Sequence, residues 1–248
     1  MSQLPTTLDD AIAQAKQATQ KALNDGHSCV QIELVLAEIA LQAQYIAKKF
    51  TPILSEYGSG LKVFFPDTGA AALARRDWGD VPFKIEDIGT SRSPITRRIS
   101  PEDQAFLVVS PSSVEVGEVE KLCNLAEDRP VIILIPQLEN VSIVGIGYAA
   151  RQLRERFLSN LFTCYYVRTL EGAALTRFYP SPWQVWLEKG EDYELITELQ
   201  QKPVGEALER IIFSAANPET DNQQSNSNKP KKKGILANMQ SFLKALSQ

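Results

Sequence analysis

The glycine-rich segment VGIGYAARQLRERF, residues 144–157, has the residue spacing that most resembles a ligand-binding motif in this sequence. Gly145, Gly147 and Ala150 match the relaxed G-x-G-x-x-A fingerprint, in which glycines let a pyrophosphate approach a helix N-terminus. Glu171 lies 21 residues beyond Ala150, near the usual spacing of an acidic ribose ligand. The preceding letters, ENVSIV, are a weak strand, however. We therefore expect the glycines to provide a tight entry to a packed helix, with dinucleotide binding as the alternative and no cofactor.

Polar residues follow three apolar segments that have the composition of strands. They are Asp67 and Thr68, then Ser110, then Gln137 and Glu139. Ligands of open α/β sheets bind outside the carboxyl ends of the strands, so these side chains, together with Gly145 and Gly147, form a candidate ligand rim if the strands are neighbours. The alternative is that the intervening prolines end the strands and the polar residues cap the helices that follow. The strand-ending prolines favour the second interpretation, in which the polar residues cap helices.

Four arginines are candidates for contact with an anion or a partner protein. Arg75 and Arg76 lie near the end of a short helical segment, and Arg151 and Arg154 lie on the helix that follows the glycines. Guanidinium groups bind phosphates and carboxylates in a bidentate manner. Basic residues also stabilise a helix C-terminus by interacting with its dipole, which leaves a purely structural role for Arg75 and Arg76 open.

The sequence offers little for catalysis. His27 is the only histidine, and no G-x-x-x-x-G-K-[ST] or G-x-S-x-G motif is present. The three cysteines, Cys29, Cys123 and Cys164, are far apart and form no metal-binding pattern, so we expect no metal. An odd, sparse cysteine count is typical of a reducing compartment. In apolar, strand-like surroundings, Cys29 and Cys164 are predicted to be small buried side chains rather than redox groups.

Length and charge narrow the class of protein further. The chain has 248 residues, is 44% hydrophobic and carries a formal net charge of −4. Residues 215–248 hold five lysines against two acids, a net +3, so the remaining 214 residues carry −7. An acidic body argues against nucleic acid as the main partner. No secretory signal or transmembrane-length apolar run is visible, which predicts a cytoplasmic protein.

The C-terminal segment has a composition different from the rest of the chain. Residues 217–234 are polar and low in complexity, which predicts a disordered linker with a basic end. Residues 235–248 then have the spacing of an amphipathic helix. The candidate membrane or partner contacts of this tail are Lys231, Lys232, Lys233, Ile235, Met239, Phe242 and Leu246. Such a segment suits an anionic membrane surface or a groove on a partner, although folding back on its own domain is the alternative.

Residues 1–216 have the pattern of one α/β domain. Amphipathic helical segments, the first over residues 7–24, alternate with five strand-like runs at residues 29–36, 61–65, 105–110, 130–135 and 161–167. The inner runs are almost continuously apolar, as in parallel strands that are covered on both faces. The sequence therefore predicts a mostly parallel five-stranded sheet with helices on both faces. Shorter strand-like segments after residue 171 predict a small antiparallel extension.

Several long blocks resemble a known family. They are LPTTLDDAIAQAKQAT, FFPDTGAAALARRDWGD, RPVIILIPQLENV, VGIGYAARQLRERFL and FYPSPWQVW, and the resemblance runs from about residue 4 to 212. The family is a cyanobacterial and plastid domain of unknown function. Its members include a chloroplast low-photosystem-II-accumulation assembly factor and the C-terminal part of a plastid adenylate-kinase-like protein. The resemblance implies a photosynthetic setting and transfers no catalytic residues, and the tail lies outside the shared blocks.

Together these observations favour a non-enzymatic interaction or assembly factor, although an enzyme is not excluded. The family setting implies assistance in photosystem II assembly, with photosystem II subunits or assembly factors as protein partners. The tail implies peripheral attachment to the cytoplasmic face of the thylakoid membrane. The alternative is an α/β enzyme or sensor that binds a nucleotide or a phosphorylated metabolite at the candidate ligand rim.

Overall fold

A computed structural model describes residues 4–138, 148–190 and 192–217, with backbone alone for residues 149 and 150. Six α-helices lie in these ranges: α1 Leu8–Asn24, α2 Ala43–Phe50, α3 Thr68–Trp78, α4 Val116–Ala126, α5 Tyr148–Arg156 and α6 Glu206–Ala216. Nine strands accompany them: β1 Cys29–Val35, β2 Leu61–Phe65, β3 Lys84–Asp87, β4 Ala105–Val109, β5 Val131–Leu134, β6 Phe162–Leu170, β7 Ala173–Phe178, β8 Trp183–Lys189 and β9 Asp192–Leu199.

The nine strands form one sheet in the order β3-β2-β4-β5-β1-β6-β7-β8-β9. The six strands from β3 to β6 are parallel, and β7, β8 and β9 follow as an antiparallel meander. The α/β class, the mostly parallel pairing and the antiparallel extension are therefore confirmed. The first strand of the chain, β1, lies in the centre of the sheet between β5 and β6.

The prediction of a five-stranded sheet is wrong, because the sheet has nine strands among the described residues. The antiparallel segments are not a separate layer, since β7 pairs with the free edge of β6 from Tyr165↔Phe178 to Leu170↔Ala173. The short strand β3 escaped prediction because three of its four residues are charged and only Ile85 is buried. Its parallel pairing with β2, rather than hydrophobic periodicity, makes it a strand.

Helices cover both faces of the sheet. On one face, α1, α2 and α3 pack on a core that includes Ile32, Val63 and Leu107. On the other face, α4 packs with Phe64, Phe106 and Ile133, and partly buried side chains near the end of α5 join this core. A third, smaller core lies under α6 and involves Trp183 and Val185 of β8. Within the described residues no helix is long and apolar enough to cross a membrane.

The predicted N-terminal helix is confirmed, and its start has a clear local cause. The hydroxyl of Thr7 accepts a hydrogen bond from the backbone N–H of Asp10 at 3.0 Å, and the Asp10 carboxylate accepts one from the backbone N–H of Thr7, also at 3.0 Å. This reciprocal capping box satisfies donors that a helix start leaves unpaired. The buried side of α1 is a row of small residues, including Ala11, Ala15, Ala18 and Ala22, which lets the helix lie close to the sheet.

Candidate ligand-binding site

The candidate ligand rim predicted from the sequence lies partly on adjacent strands. β2, β4 and β5 are neighbours, and the chain leaves β2 towards β3 but leaves β4 in the opposite direction towards β5. Such divergence is where ligands commonly bind in open α/β sheets. Asp67, however, caps α3 by accepting the N–H of Ala70 at 2.9 Å, and the Thr68 hydroxyl donates to Asp87 at 3.2 Å. These two side chains therefore already have structural partners.

The other predicted rim residues have mixed outcomes. Ser110 follows β4 and has a positive φ of 47°, an uncommon conformation for a residue other than glycine. The N–H of Gln137 donates to the carbonyl of Pro111 at 2.8 Å, which joins the ends of β4 and β5. Glu139, Gly145 and Gly147 lie outside the described residues. As a ligand site, the rim stays a prediction.

The four candidate arginines do not gather at one place. Arg75 donates to the carbonyl of Ile85 at 2.6 Å and so fastens α3 to β3. Arg76 is exposed and pairs with Asp77 at 2.7 Å. Arg151 and Arg154 lie on α5, where Arg151 is exposed. The candidate tail contacts, from Lys231 to Leu246, lie outside the described residues.

His27 has a packing role in the structure. Its imidazole stacks on the ring of Phe162 with 3.6 Å between centroids, and Tyr179 contacts it edge-on. This cluster lies at the amino end of β1, away from the carboxyl-end rim. Among the described residues no group of three or more histidines, cysteines, aspartates and glutamates is placed to hold a metal ion.

A cavity of about 520 Å³ lies over the middle of the sheet, on the face covered by α5. We call it the Arg177 cavity; its polar border includes Gln31, Glu33, Thr163, Arg177 and Lys202, with Trp183 beside them. Its volume is within the range of small-molecule sites. Of the predicted rim residues that the structure describes, only Gln137 borders it.

A hydrogen-bond network fixes the floor of the Arg177 cavity. The Gln31 amide donates to the hydroxyl of Thr163 at 2.9 Å and to the carboxylate of Glu33 at 3.3 Å. The Thr163 hydroxyl donates in turn to the same Glu33 oxygen at 3.2 Å. The Lys202 ammonium reaches the other Glu33 oxygen at 3.5 Å and lies 3.9 Å from the centre of the Tyr166 ring. Burial raises the pKa of Tyr166 to about 12, so its phenol is neutral at physiological pH.

Arg177 differs from Lys202 because its described partners are aromatic rings and include no carboxylate. The guanidinium carbon lies 5.0 Å from the centre of the Phe162 ring and 5.4 Å from that of Trp183. Its Nε atom is buried and has no hydrogen-bond partner. Burial lowers the pKa of the guanidinium, because a charged group loses hydration there. With Lys202 and Glu33, the described border of the cavity carries a net charge of +1.

The sequence contains a signal for this cavity that does not take the form of a motif. Val30, Ile32 and Leu34 of β1 are buried on one face, whereas Gln31 and Glu33 occupy the other. A central parallel strand is normally apolar on both faces. Two polar residues in such a strand therefore indicate a polar chamber above it. The sequence alone does not assign Arg177 and Lys202 to this site, because only the folded sheet brings them next to β1.

The chain belongs to the family described as domain of unknown function DUF1995, whose family model matches residues 5–210. This match confirms the predicted membership in an uncharacterised domain family. Separate comparisons with curated proteins and with solved structures found no match.

Proposed function

We propose that this domain is a non-enzymatic interaction protein that assists photosystem II assembly at the thylakoid surface of a photosynthetic cell. The resemblance of its sequence blocks to a chloroplast low-photosystem-II-accumulation factor supports the setting. Its partners in this proposal are photosystem II subunits or other assembly factors. Attachment to the membrane surface is peripheral and runs through the basic, amphipathic tail at residues 229–248.

The observation that carries the interaction role is the weak coverage of α6. Of its eleven residues, only Leu208 is buried, and Phe213 is 59% exposed. Ile211 and Ile212 are only partly buried against β8 and β9. A helix that leaves apolar side chains in water is a common feature of contact surfaces. Residues 217–234 separate this helix from the amphipathic segment of the tail, so a single linker joins the two apolar segments in sequence.

Membrane attachment is tested by co-sedimentation of the full chain with vesicles that contain anionic lipids. Reversing two tail charges, Lys231→Glu with Lys232→Glu, should move most of the protein to the supernatant, because each basic residue near an anionic surface contributes to binding. The matched control reverses two charges on α2, Lys48→Glu with Lys49→Glu, and should sediment like the parent protein. Equal sedimentation of both variants would refute the role of the tail.

Participation in photosystem II assembly is tested separately in a photosynthetic cell. Affinity capture of the tagged protein should enrich photosystem II subunits, and deleting its gene should lower the amount of assembled photosystem II. Replacing Phe213 by Ser should weaken capture, whereas the same replacement at Leu41, 78% exposed on the opposite side of the sheet, should not. Normal photosystem II levels in the deletion strain would refute this function.

A second candidate function is binding of a small ligand, such as a nucleotide or phosphorylated metabolite. The Arg177 cavity is the specific observation that favours it, because a half-buried guanidinium borders the cavity and contacts aromatic rings rather than a described carboxylate. A thermal-shift screen against nucleotides and sugar phosphates tests this function, since a bound ligand raises the apparent stability of the fold.

A further inference from the structure

The orientation of Arg177 leaves its hydrogen-bond donors available. The rings of Phe162 and Trp183 lie within about 5.5 Å of the guanidinium carbon, in cation–π contact. In such contacts the guanidinium interacts with the π face of an aromatic ring, and the ring accepts no conventional hydrogen bond from its N–H groups. None of the described residues accepts a hydrogen bond from the buried Nε of Arg177. A guanidinium donates within its own plane, and the matching acceptor is a carboxylate or a phosphate.

Charges around the cavity also favour an anion. Glu33 is the only acid on the described border, and hydrogen bonds from Gln31 and Thr163 and the ion pair with Lys202 already satisfy it. Among the described residues, Arg177 therefore remains a cation without a counter-charge in a partly desolvated site. Bringing an oxyanion to it would offset the cost of burying that charge.

The rest of the border indicates what the oxyanion is attached to. Uncharged hydrogen-bonding groups of Gln137, Ser159, Gln200 and Gln201 face the same cavity. Such groups bind hydroxyls and amides, whereas an apolar ligand would leave them unpaired. A volume of about 520 Å³ holds a metabolite rather than a peptide segment.

We propose that the Arg177 cavity binds a small, hydroxyl-rich metabolite through a carboxylate or phosphate that accepts hydrogen bonds from Arg177. The proposal rests on the second candidate function above. Lys202 is the secondary contact, because its ammonium lies only 3.5 Å from Glu33 and shares the same border. Removing the negative charge of Glu33 should therefore strengthen anion binding.

Calorimetric titration of the full chain tests this proposal with sugar phosphates, hydroxycarboxylates, nucleoside monophosphates and inorganic phosphate as probes. Arg177→Met keeps the aliphatic stem and should weaken binding of the best probe roughly 10- to 100-fold, the usual worth of a charged hydrogen bond. The affinity of Arg177→Lys should lie between those of the parent and Arg177→Met. Glu33→Gln should bind the probe more tightly than the parent. Arg92→Met, at an exposed position away from the cavity, is the matched control.

The outcomes separate this proposal from the candidate function on which it rests. A probe that binds the parent and Arg177→Met equally refutes the Arg177 contact but keeps a ligand-binding domain. Failure of every probe to bind the parent protein at millimolar concentration refutes both. If Arg177→Met unfolds, the Arg177→Lys and Glu33→Gln affinities decide the question, and unchanged values in both overturn the proposal.

Two cysteines from distant parts of the chain lie almost in contact, which supports a second inference. The thiol sulfurs of Cys29 and Cys123 lie 2.9 Å apart, although 94 residues separate them in the chain. Cys29 begins β1, Cys123 lies on α4, and both are partly accessible to solvent. Sulfur atoms joined in a disulfide are about 2.05 Å apart, so a small movement of either side chain closes the bond.

We infer that Cys29 and Cys123 form a reversible intramolecular disulfide through exchange with a disulfide oxidant such as oxidised glutathione. The Cys29 thiolate attacks one glutathione sulfur, which releases one glutathione thiolate and leaves a mixed disulfide. The Cys123 thiolate then attacks the Cys29 sulfur and releases the second. Two protein thiols are oxidised, one disulfide is reduced, and the two released thiolates take up the two thiol protons.

Mass spectrometry of the full chain tests the exchange after incubation with oxidised glutathione. The parent protein should lose two hydrogen atoms and give a linked peptide that contains Cys29 and Cys123, and dithiothreitol should reverse the change. Cys164→Ser should behave like the parent, whereas Cys123→Ser should stop at the glutathione adduct on Cys29. Two free thiols at these positions after prolonged incubation, or a link to Cys164 instead, would overturn the inference.

Discussion

The ammonium of Lys62 lies 3.0 Å from a carboxylate oxygen of Asp103, although both side chains are at most 5% exposed. Lys62 also donates to the carbonyl of Arg98, and Asp103 accepts the N–H of Ser100 at 2.7 Å. The pair thereby fastens β2 to the turn that precedes β4.

Replacing Lys62 by Met should destabilise the fold by about 3–5 kcal/mol, because Asp103 would remain as an unpaired buried charge. The double variant Lys62→Met with Asp103→Asn should recover most of this loss, since Asn can still accept from Ser100. Urea unfolding of the three proteins measures both effects. A single variant as stable as the parent would contradict the assignment of a buried ion pair.

Gly89 should not tolerate a side chain. Its φ is +93°, and an added Cβ would lie 2.4 Å from the carbonyl oxygen of Ser93. Gly89→Ala should therefore cost roughly 2–5 kcal/mol through backbone strain and steric overlap. Gly117→Ala on α4 is the matched control, because a Cβ there meets nothing within 4 Å and should add up to about 1 kcal/mol of stability. Thermal unfolding of both variants measures the contrast.

The capping box of α1 should make stability depend on pH at the acidic end. Hydrogen bonds from Thr6 and Thr7 hold the pKa of Asp10 below its ordinary value of 3.8. Because the pKa of Asp10 is lower in the folded state, its carboxylate stabilises the fold fully above the unfolded-state pKa. This stabilisation is lost as pH falls through the folded-state pKa. Asp10→Asn should therefore be less stable than the parent at pH 6, and the difference should shrink below pH 4. Urea midpoints at several pH values measure it, and a constant difference would contradict this linkage.

Cys164 should resist alkylation in the folded protein. Burial raises its pKa to about 11, and its thiol lies 3.5 Å from the hydroxyl of Thr19 on α1. At pH 8 very little thiolate is present, and the thiol has no exposed surface. Native labelling with iodoacetamide should modify Cys29 before Cys164, and urea should remove the difference. Rapid labelling of Cys164 in the native state would show that α1 does not seal this side of the sheet.

The sequence predicted the parallel half of this fold well, because its strands carry apolar residues on both faces. Val63 and Phe64 show the reason: both are fully buried, on opposite faces of one strand. Apolar residues on both strand faces do not predict the total of nine strands. β3 has too few residues, and the pairing of β6 with β7 depends on which edge remains free after β6 joins β1.

The site was less predictable than the fold. Gln31 and Glu33 were a readable anomaly in an apolar strand, but Arg177 is adjacent to them only through the order β1-β6-β7. The closeness of Cys29 and Cys123 likewise depends on how α4 lies on the sheet. For this reason, the sequence predicted Cys29 as a small packed side chain and gave no sign of the Cys123 sulfur 2.9 Å away.

The central position of β1 has a consequence for biosynthesis. β1 precedes both of its neighbours in the chain, since its Cys29 pairs with Val131 in β5 and its Val35 pairs with Arg168 in β6. During synthesis β1 therefore lacks its first partner until residue 134 has been made and its second partner until residue 170 has been made. The β6–β9 meander, by contrast, can assemble from local hairpins as soon as it emerges. The polar face of β1 thus also lowers the tendency of the waiting strand to pair with another chain.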